Sequence, residues 1–380
     1  MQDHRRGTVL VLSCLLVALV AVYGSAIMVR GLTEQRAAQR AVRLAWAFEA
    51  AEAGLDQAIT QLRANANWSG ATYTTTLQGG YDVTITNLSS TVKRLTVTGH
   101  YPSNITTTYG YQKRRVEGTL QVSPQSIFQY PLFGKDSVDL KKAALTDSYN
   151  SDQGSYDPHH PGQQGDVATN STASNSVTLK KGTTVNGQVI VGPGMADPSP
   201  AVDQDEDAVI TATPAIVSAS QTLTLSAIDT TGMSCTTDLD LPKNGTFTFY
   251  ESNSPYCYNH INSDKDSVIT VSGNVKVYAS QVNFDKNLNV NAGGRPTQFI
   301  LSIYGTQDVT IDKDGTFVGG LYAPNAKVRL KKQVGFYGAL AAKNVTVDKE
   351  SAFHYDEALK NVSGPTTGNS NVQLLSWREL

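Results

Sequence analysis

The chain opens on a stretch with no polar period at all. From Thr8 to Val29 (TVLVLSCLLVALVAVYGSAIMV) no charged side chain interrupts the apolar run. As a helix rising about 1.5 Å per residue it spans roughly 33 Å, enough for a hydrocarbon core of about 30 Å. A buried core helix rarely stays apolar on every face for so long. A secretory signal has a shorter apolar run and a small-residue cleavage site, which Ser25, Ala26 and Ile27 do not supply. The stretch is therefore read as a membrane span. Behind it the period becomes 3.6. Leu44, Phe48, Ala51, Leu55, Ile59 and Leu62 recur at steps of three and four through an alanine-rich segment without proline. Residues 8–65 are thus predicted to form one continuous helix, apolar all round in its first half and amphipathic in its second. Asn65, Asn67, Ser69 and Gly70 end it.

From residue 71 the period falls to two. Tyr73–Leu77, Tyr81–Leu88, Val92–His100 and Tyr109–Val122 are rich in Thr, Val, Tyr and Ile. They predict an antiparallel meander over residues 66–125, with Gly79–Gly80 as a hairpin turn, that could cover the apolar stripe of the helix. From residue 126 degenerate repeats set in. VDLKK, VTLKK, VTIDK, VRLKK and VTVDK share the form Val–x–apolar–x–Lys, each followed by a turn and a second short strand. Val309, Val328 and Val345 recur at about 17–19 residues, which favours stacked β-solenoid coils over the alternative, a β-sandwich. The fold class is α+β, mainly β: a long N-terminal helix on a small antiparallel sheet, then a β-solenoid-like domain over residues 126–360. Residues 195–260 break the pattern and read as an insertion, and residues 361–380 as a tail.

The 380 residues carry a formal charge of −2, and only 17% are charged. That balance argues against nucleic acid as the main partner, since phosphate binding needs a basic excess. Three cysteines exclude a disulfide-dense mini-protein and a multi-cysteine zinc site. Lys113–Arg115 reads as a solvated strand end.

The N-terminus resembles the PilX-type minor pilins of type IV pilus systems. The residues that carry this are a polar leader ending in RRG, the apolar run, and LTEQRAAQRAVRLAWAFEAAEAGLDQAI, with AFEAAEAGL (Ala47 to Leu55, including Phe48, Glu49 and Glu52) the most specific part. The resemblance covers residues 1–65. It implies a leader of residues 1–7, cleaved at Gly7–Thr8 by a prepilin peptidase on the cytoplasmic side, and it places the chain beyond about residue 30 outside the inner membrane. Thr8 departs from the residues common at the first mature position. Leu12, the fifth mature residue, stands where major pilins carry glutamate, a departure shared with PilX-type minor pilins and K-type pseudopilins. Stretches within residues 126–360, above all YAPNA and HYDEAL, resemble a domain of unknown function found on PilX-type proteins. In an exported segment Cys235 and Cys257 are expected to pair, which would stabilise the fold by about 3 kcal/mol on the chain-entropy model. Cys14 is an apolar filler of the span.

Candidate chemistry is sparse. His354–Tyr355–Asp356–Glu357 is read as the polar cap of a closing rung. Asp203–Asp207 alternates carboxylates but lacks the glycine and glutamate of a calcium loop. Asp312–Gly315 reads as a turn, His159–His160 as a loop, and Gly187–Gly194 lacks the Lys–Ser/Thr of a phosphate loop. No catalytic, cofactor or metal residue is assigned. The expected role is a non-catalytic, minor pilin-like component of a type IV pilus, in assembly, initiation, a fibre tip or adhesion. Its partners would be other pilins, the inner-membrane assembly machinery and membrane lipids. The alternatives are a K-type pseudopilin-like component of type II secretion and a membrane-anchored carbohydrate-binding or carbohydrate-active β-helix.

Overall fold

The structure is a computed structural model and describes residues 3–89, 91–362 and 366–380. It divides into two compact units, Met1–Ser123 with Ser370–Leu380, and Pro124–Asn369. Of the expected leader, Met1 and Gln2 lie outside the described residues.

In the first unit, helix α1 (Asp3–Ala64) runs for 62 residues, about 93 Å at the α-helical rise. Gly7 and Thr8 lie within it as helical backbone. From Leu12 on, its apolar half is turned outward on every side: Leu12 is 69% and Ile27 70% exposed. None of its most apolar window is buried within the protein. The second half lies on a sheet made of β1 (Gly70–Thr76), β2 (Gly79–Asn87), β3 (Val92–Tyr101), β4 (Gln112–Ser126) and the strand Thr366–Glu379, in that order. β1 to β4 form an antiparallel meander. The hairpin turn falls at Leu77–Gln78, one step before the expected Gly79–Gly80, because Thr76 pairs with Gly79. The expected tail is largely this fifth strand. The Leu380 N–H donates to the Arg115 carbonyl at 2.9 Å, and Arg114 pairs with Glu379 at 2.9 Å.

Alternation gives the sheet one buried face. Tyr81, Val83, Leu95, Val97, Val116 and Leu120 meet Ala51, Leu55, Ala58 and Leu62 of α1. The stripe is centred on small residues, so backbones come close. A Cβ on Gly99 would stand 1.9 Å from the Ala47 carbonyl oxygen, and one on Gly54 would stand 2.7 Å from the Tyr81 ring and Val97. Both glycines are therefore required by the approach of helix to sheet. The chain's three tryptophans, Trp46, Trp68 and Trp377, all lie in this unit. Gly99→Val is expected to destabilise it by about 1–3 kcal/mol or more through overpacking. Thermal unfolding followed by tryptophan fluorescence should report the loss, while the β-dominated far-UV signal of the second unit keeps its midpoint.

In the second unit, strands stack in parallel, coil upon coil. Val309 lies beside Val328, Val328 beside Val345, Val345 beside Val138, Val138 beside Val177, and Val177 beside Val202. The repeated Val–x–apolar units thus share one ladder with their apolar side chains inward. Phe299, Phe317, Phe336 and Phe353 form a second, buried column, with ring centroids 5.9, 4.9 and 4.8 Å apart. Each such ring contributes about 1.5–3 kcal/mol by leaving water.

The coils do not follow one another in space as they do in the chain. The first coil, Leu132–Leu140 with Leu145–Tyr149, lies in mid-stack. The chain steps outward through Val167–Thr169 and Val189–Val191 to Ile216–Ser218. Residues 219–238 then cross back without helix or strand. Leu239–Leu241 restarts at the opposite end, and the coils run inward until Gly335–Val347 and Ala352–Asp356 pair with the first coil. The crossover is held by the Asn170 side chain, which bonds both backbone groups of Leu223 at 2.8 Å. Leu223 itself is buried. Residues 195–260 are therefore not looped out of the stack. They form its outer coils and the crossover, and their signature fades because strands such as Val209–Ile210 (2 residues) are too short to carry a period.

Cys235, at the end of the crossover, is bonded to Cys257 on the strand Tyr256–Ser263, with a Cα separation of 4.7 Å. Cys14 is free and exposed. Maleimide labelling of the denatured chain, read by mass, should add one label without reductant and three after reduction. Three labels on the unreduced chain would exclude the bond.

Candidate functional site

The polar run His354–Glu357 lies where the last coil meets the first. It is not on a closing rung. Ala352–Asp356 pairs with Gly335–Val347 on one side and with Leu145–Tyr149 on the other, because the crossover makes the last coil an interior one. Its polar groups tie the two chain segments together. His354 Nδ1 lies 2.7 Å from the Asp147 carboxylate, and both residues are buried. The Tyr156 hydroxyl donates to the other Asp147 oxygen at 2.7 Å. The Ser151 N–H donates to Asp356 at 2.9 Å, and the Tyr355 hydroxyl to the Phe128 carbonyl at 2.7 Å.

Beside this junction, the turns around residues 151–156 and 293–296 border a cleft of about 500 Å³. Tyr149, Tyr156, Tyr337 and Arg295 contribute to its lining. The Tyr156 ring meets Tyr149 and Tyr337 edge-on at 5.6 and 5.8 Å. The His354 ring packs on both Tyr156 and Tyr337, at 3.9 and 4.7 Å. Arg295 is paired with Asp152. Burial first, and the Asp147 carboxylate after it, push the Tyr156 hydroxyl far above the ordinary phenol range. Tyr337 is raised by burial and then Asp147, and Tyr149 by burial and then Asp356. All three stay neutral donors across the physiological pH range. Aromatic faces and neutral hydroxyls around one guanidinium suit a ring-shaped polar ligand held by stacking and hydrogen bonds. Among the described residues that line the cleft there is no carboxylate and no imidazole.

The residues singled out from the sequence fall in separate places. Phe48 and Leu55 sit on the sheet side of α1, Phe48 edge-on to Trp377 at 6.4 Å. Glu49 and Glu52 are exposed on the other side. Leu12 stands in the exposed apolar half. Asp203 and Asp205 pair with Lys180 at 2.6 and 3.5 Å, and Asp312 with Lys331 at 3.0 Å. His160 bonds Asp157 at 2.8 Å on the surface. Among the described residues no group of His, Cys, Asp and Glu could hold a metal ion. The cleft residues were not legible from sequence. Tyr156 and Tyr337 meet only through the pairing of the first coil with the last.

Asp147→Ala would strand the buried His354 at about 1–3 kcal/mol and leave the half-buried Tyr156 hydroxyl without its acceptor. The urea midpoint of the far-UV signal should fall while tryptophan fluorescence unfolds as before. Tyr156→Phe removes one hydrogen bond and should cost about 1 kcal/mol.

The profile of a domain family described as a domain of unknown function, DUF7305, matches residues 181–362. No curated protein matches the chain significantly. Among solved structures, the chain is similar to the competence-associated pilin ComZ from Thermus thermophilus, at 14% identity and a TM-score of 0.36, over 89% of this chain and 97% of that one. It is also similar to the DUF3494 domain of an ice-binding protein from Shewanella frigidimarina, at 13% identity and a TM-score of 0.29, over 62% of this chain and 99% of that one.

Proposed function

We propose that the chain is a non-catalytic, minor pilin-like component of a type IV pilus or a related secretion fibre, anchored by α1 in the inner membrane and carrying its coil stack outside the cytoplasm. One observation supports this above the others. A single helix is wholly exposed and apolar over one half and packed on its own antiparallel sheet over the other. An exposed apolar surface of that size needs lipid or other apolar helices around it. Ala18, Ala21, Gly24 and Ser25 let such helices approach closely, and Leu12 leaves no carboxylate to be neutralised in hydrocarbon. The AFEAAEAGL resemblance agrees with the packing, since Ala47, Ala51 and Gly54 are the small residues of the helix–sheet seam. Other pilins would pack on the apolar half. A prepilin peptidase would act at Gly7–Thr8, and a bulky displayed unit suits an initiating or tip position.

Leu19→Arg, near the centre of the apolar run, costs about 3 kcal/mol in a bilayer. It should move the chain out of the carbonate-resistant membrane fraction, and unchanged fractionation would count against the anchor. A second experiment addresses the role. Residues 127–365 are replaced by a short Gly/Ser linker, keeping the fifth strand of the first unit, and surface fibres are counted. Lost fibres would indicate a part in assembly. Intact fibres that no longer attach would indicate adhesion. Wild-type fibre number and attachment would overturn the proposal for the coil unit.

A further inference from the structure

The lysine that ends each Val–x–apolar–x–Lys unit has no part in the core, and the register shows where it goes. Ile311, Leu330, Val347, Leu140 and Leu179 are neighbours on one ladder. Two residues further on, each coil carries an exposed lysine: Lys313, Lys332, Lys349, Lys142 and Lys181. They occupy the same corner of successive coils, spaced about 4.8 Å apart as parallel strands are. Backbone bonds run along that corner. Gln333 N–H donates to the Lys349 carbonyl at 3.1 Å, Glu350 to Lys142 at 3.1 Å, and Ala143 to Lys181 at 2.9 Å. The turn itself depends on the residue after the lysine, which takes a left-handed φ of 62° at Gln333, 60° at Glu350 and 54° at Ala143. Nothing in that geometry calls for lysine before it.

Positive charge accumulates where the last coils meet the first. Lys331, Lys141 and Lys180 precede the ladder lysines of their coils, and Arg329 lies beside them. Lys141, Lys142, Lys180, Arg329, Lys332 and Lys349 line a groove of about 430 Å³ in which Asp348 is the one acid of the lining. Four cations are neutralised nearby: Lys331 by Asp312 at 3.0 Å, Lys180 by Asp203 at 2.6 Å, Arg329 by Asp348 at 2.7 Å and Lys332 by Glu350 at 3.4 Å. Lys141, Lys142, Lys181 and Lys349 have no ion-pair partner among the described residues. The ladder continues beyond Ile311 through Phe284, Ser263 and Leu241, so Lys286, Lys265 and Lys243 extend the same file, but acids flank it there: Asp264 and Asp266 about Lys265, Asp285 before Lys286, and Asp312 and Asp314 about Lys313. At the other end Asp205, Glu206 and Asp207 stand at the corner.

We infer that this corner is a docking strip for a narrow, linear polyanion, and within that class for an acidic polysaccharide. A single file of exposed ammonium groups at regular spacing, of which Lys332 is paired with Glu350, matches a chain with one anionic group per sugar unit. A nucleic-acid duplex presents phosphates over a broad face and would meet the acids at both ends. A single strand is ordinarily held on aromatic platforms, and none lines this groove. The strip lies within the coil unit, so its occupancy does not depend on the fibre reading.

The test uses the full chain in neutral detergent, with immobilised polygalacturonate as probe and neutral dextran as control. The wild type should bind polygalacturonate at low salt and lose it as salt screens the contacts. The triple variant K142E/K181E/K349E should weaken binding by about tenfold or more, since several exposed charge contacts are reversed at once. K135E/K276E/K343E makes the same change in net charge at exposed lysines of the coil unit that lie off this ladder and should weaken it less than about threefold. Unchanged far-UV spectra would show that both variants fold. Equal losses in the two triple variants would mean net charge rather than a strip, and would overturn the proposal. So would absence of polygalacturonate binding by the wild type, or tighter binding of a duplex or single-stranded oligonucleotide than of polygalacturonate.

Discussion

The parallel pairing of the last coil with the first holds the second unit together. Every other coil has at least one neighbour close in sequence, and forming that contact closes only a short loop. Val345 beside Val138 closes a loop of most of the unit. Loop-closure entropy grows slowly with length, by roughly 0.6 kcal/mol per doubling, so the contact is affordable, but it must be specific. The His354–Asp147 pair, which is buried, its bond from Tyr156, and the Asp356 and Tyr355 bonds provide that specificity. A polar network inside a stack of apolar coils is satisfied in only one register, so a slipped pairing would leave several buried groups without partners. The aromatic cleft and the lysine corner both stand at this seam, since each draws residues from both ends of the unit.

The first unit solves a different problem. A helix with an exposed apolar half gains nothing from water, so its other half must be fixed firmly enough to present it. Small residues do this. Ala47 and Ala51 against Gly99, and Gly54 against Tyr81 and Val97, bring helix and sheet together, and Leu55 and Leu62 add to the same core. The acidic residues of the same stretch, Glu49 and Glu52, remain on the outer side, where they keep that part of the helix in water.

Much of this was legible in the sequence. Period 3.6 gave the helix and period two the meander, because each of these elements buries one continuous face. The Val–x–apolar–x–Lys units gave the stacking ladder, since a coil must repeat its inward residues to fit the next. The order of the coils was not legible. Nothing local in Ile216–Ser218 or Leu239–Leu241 records that the chain leaves one end of the stack and resumes at the other. The same ignorance turned His354–Glu357 into a cap, outer coils into an insertion, and the strand Thr366–Glu379 into a tail, whose partner β4 lies some 250 residues earlier. The cleft was hidden for the same reason: Tyr156 and Tyr337 become neighbours only once that order is known.

The path of the coil unit has a consequence for how such a unit can vary. Its entry near Ile127 and its exit near Leu359 lie together, with the Ser126 hydroxyl bonded to the Leu359 carbonyl at 3.3 Å. The two extremities of the stack are formed by other coils, Ile216–Ser218 at one and Leu239–Leu241 at the other. Whole turns of chain can be gained or lost at either extremity, lengthening or shortening the body, while the doorway through which it joins the rest of the polypeptide stays the same.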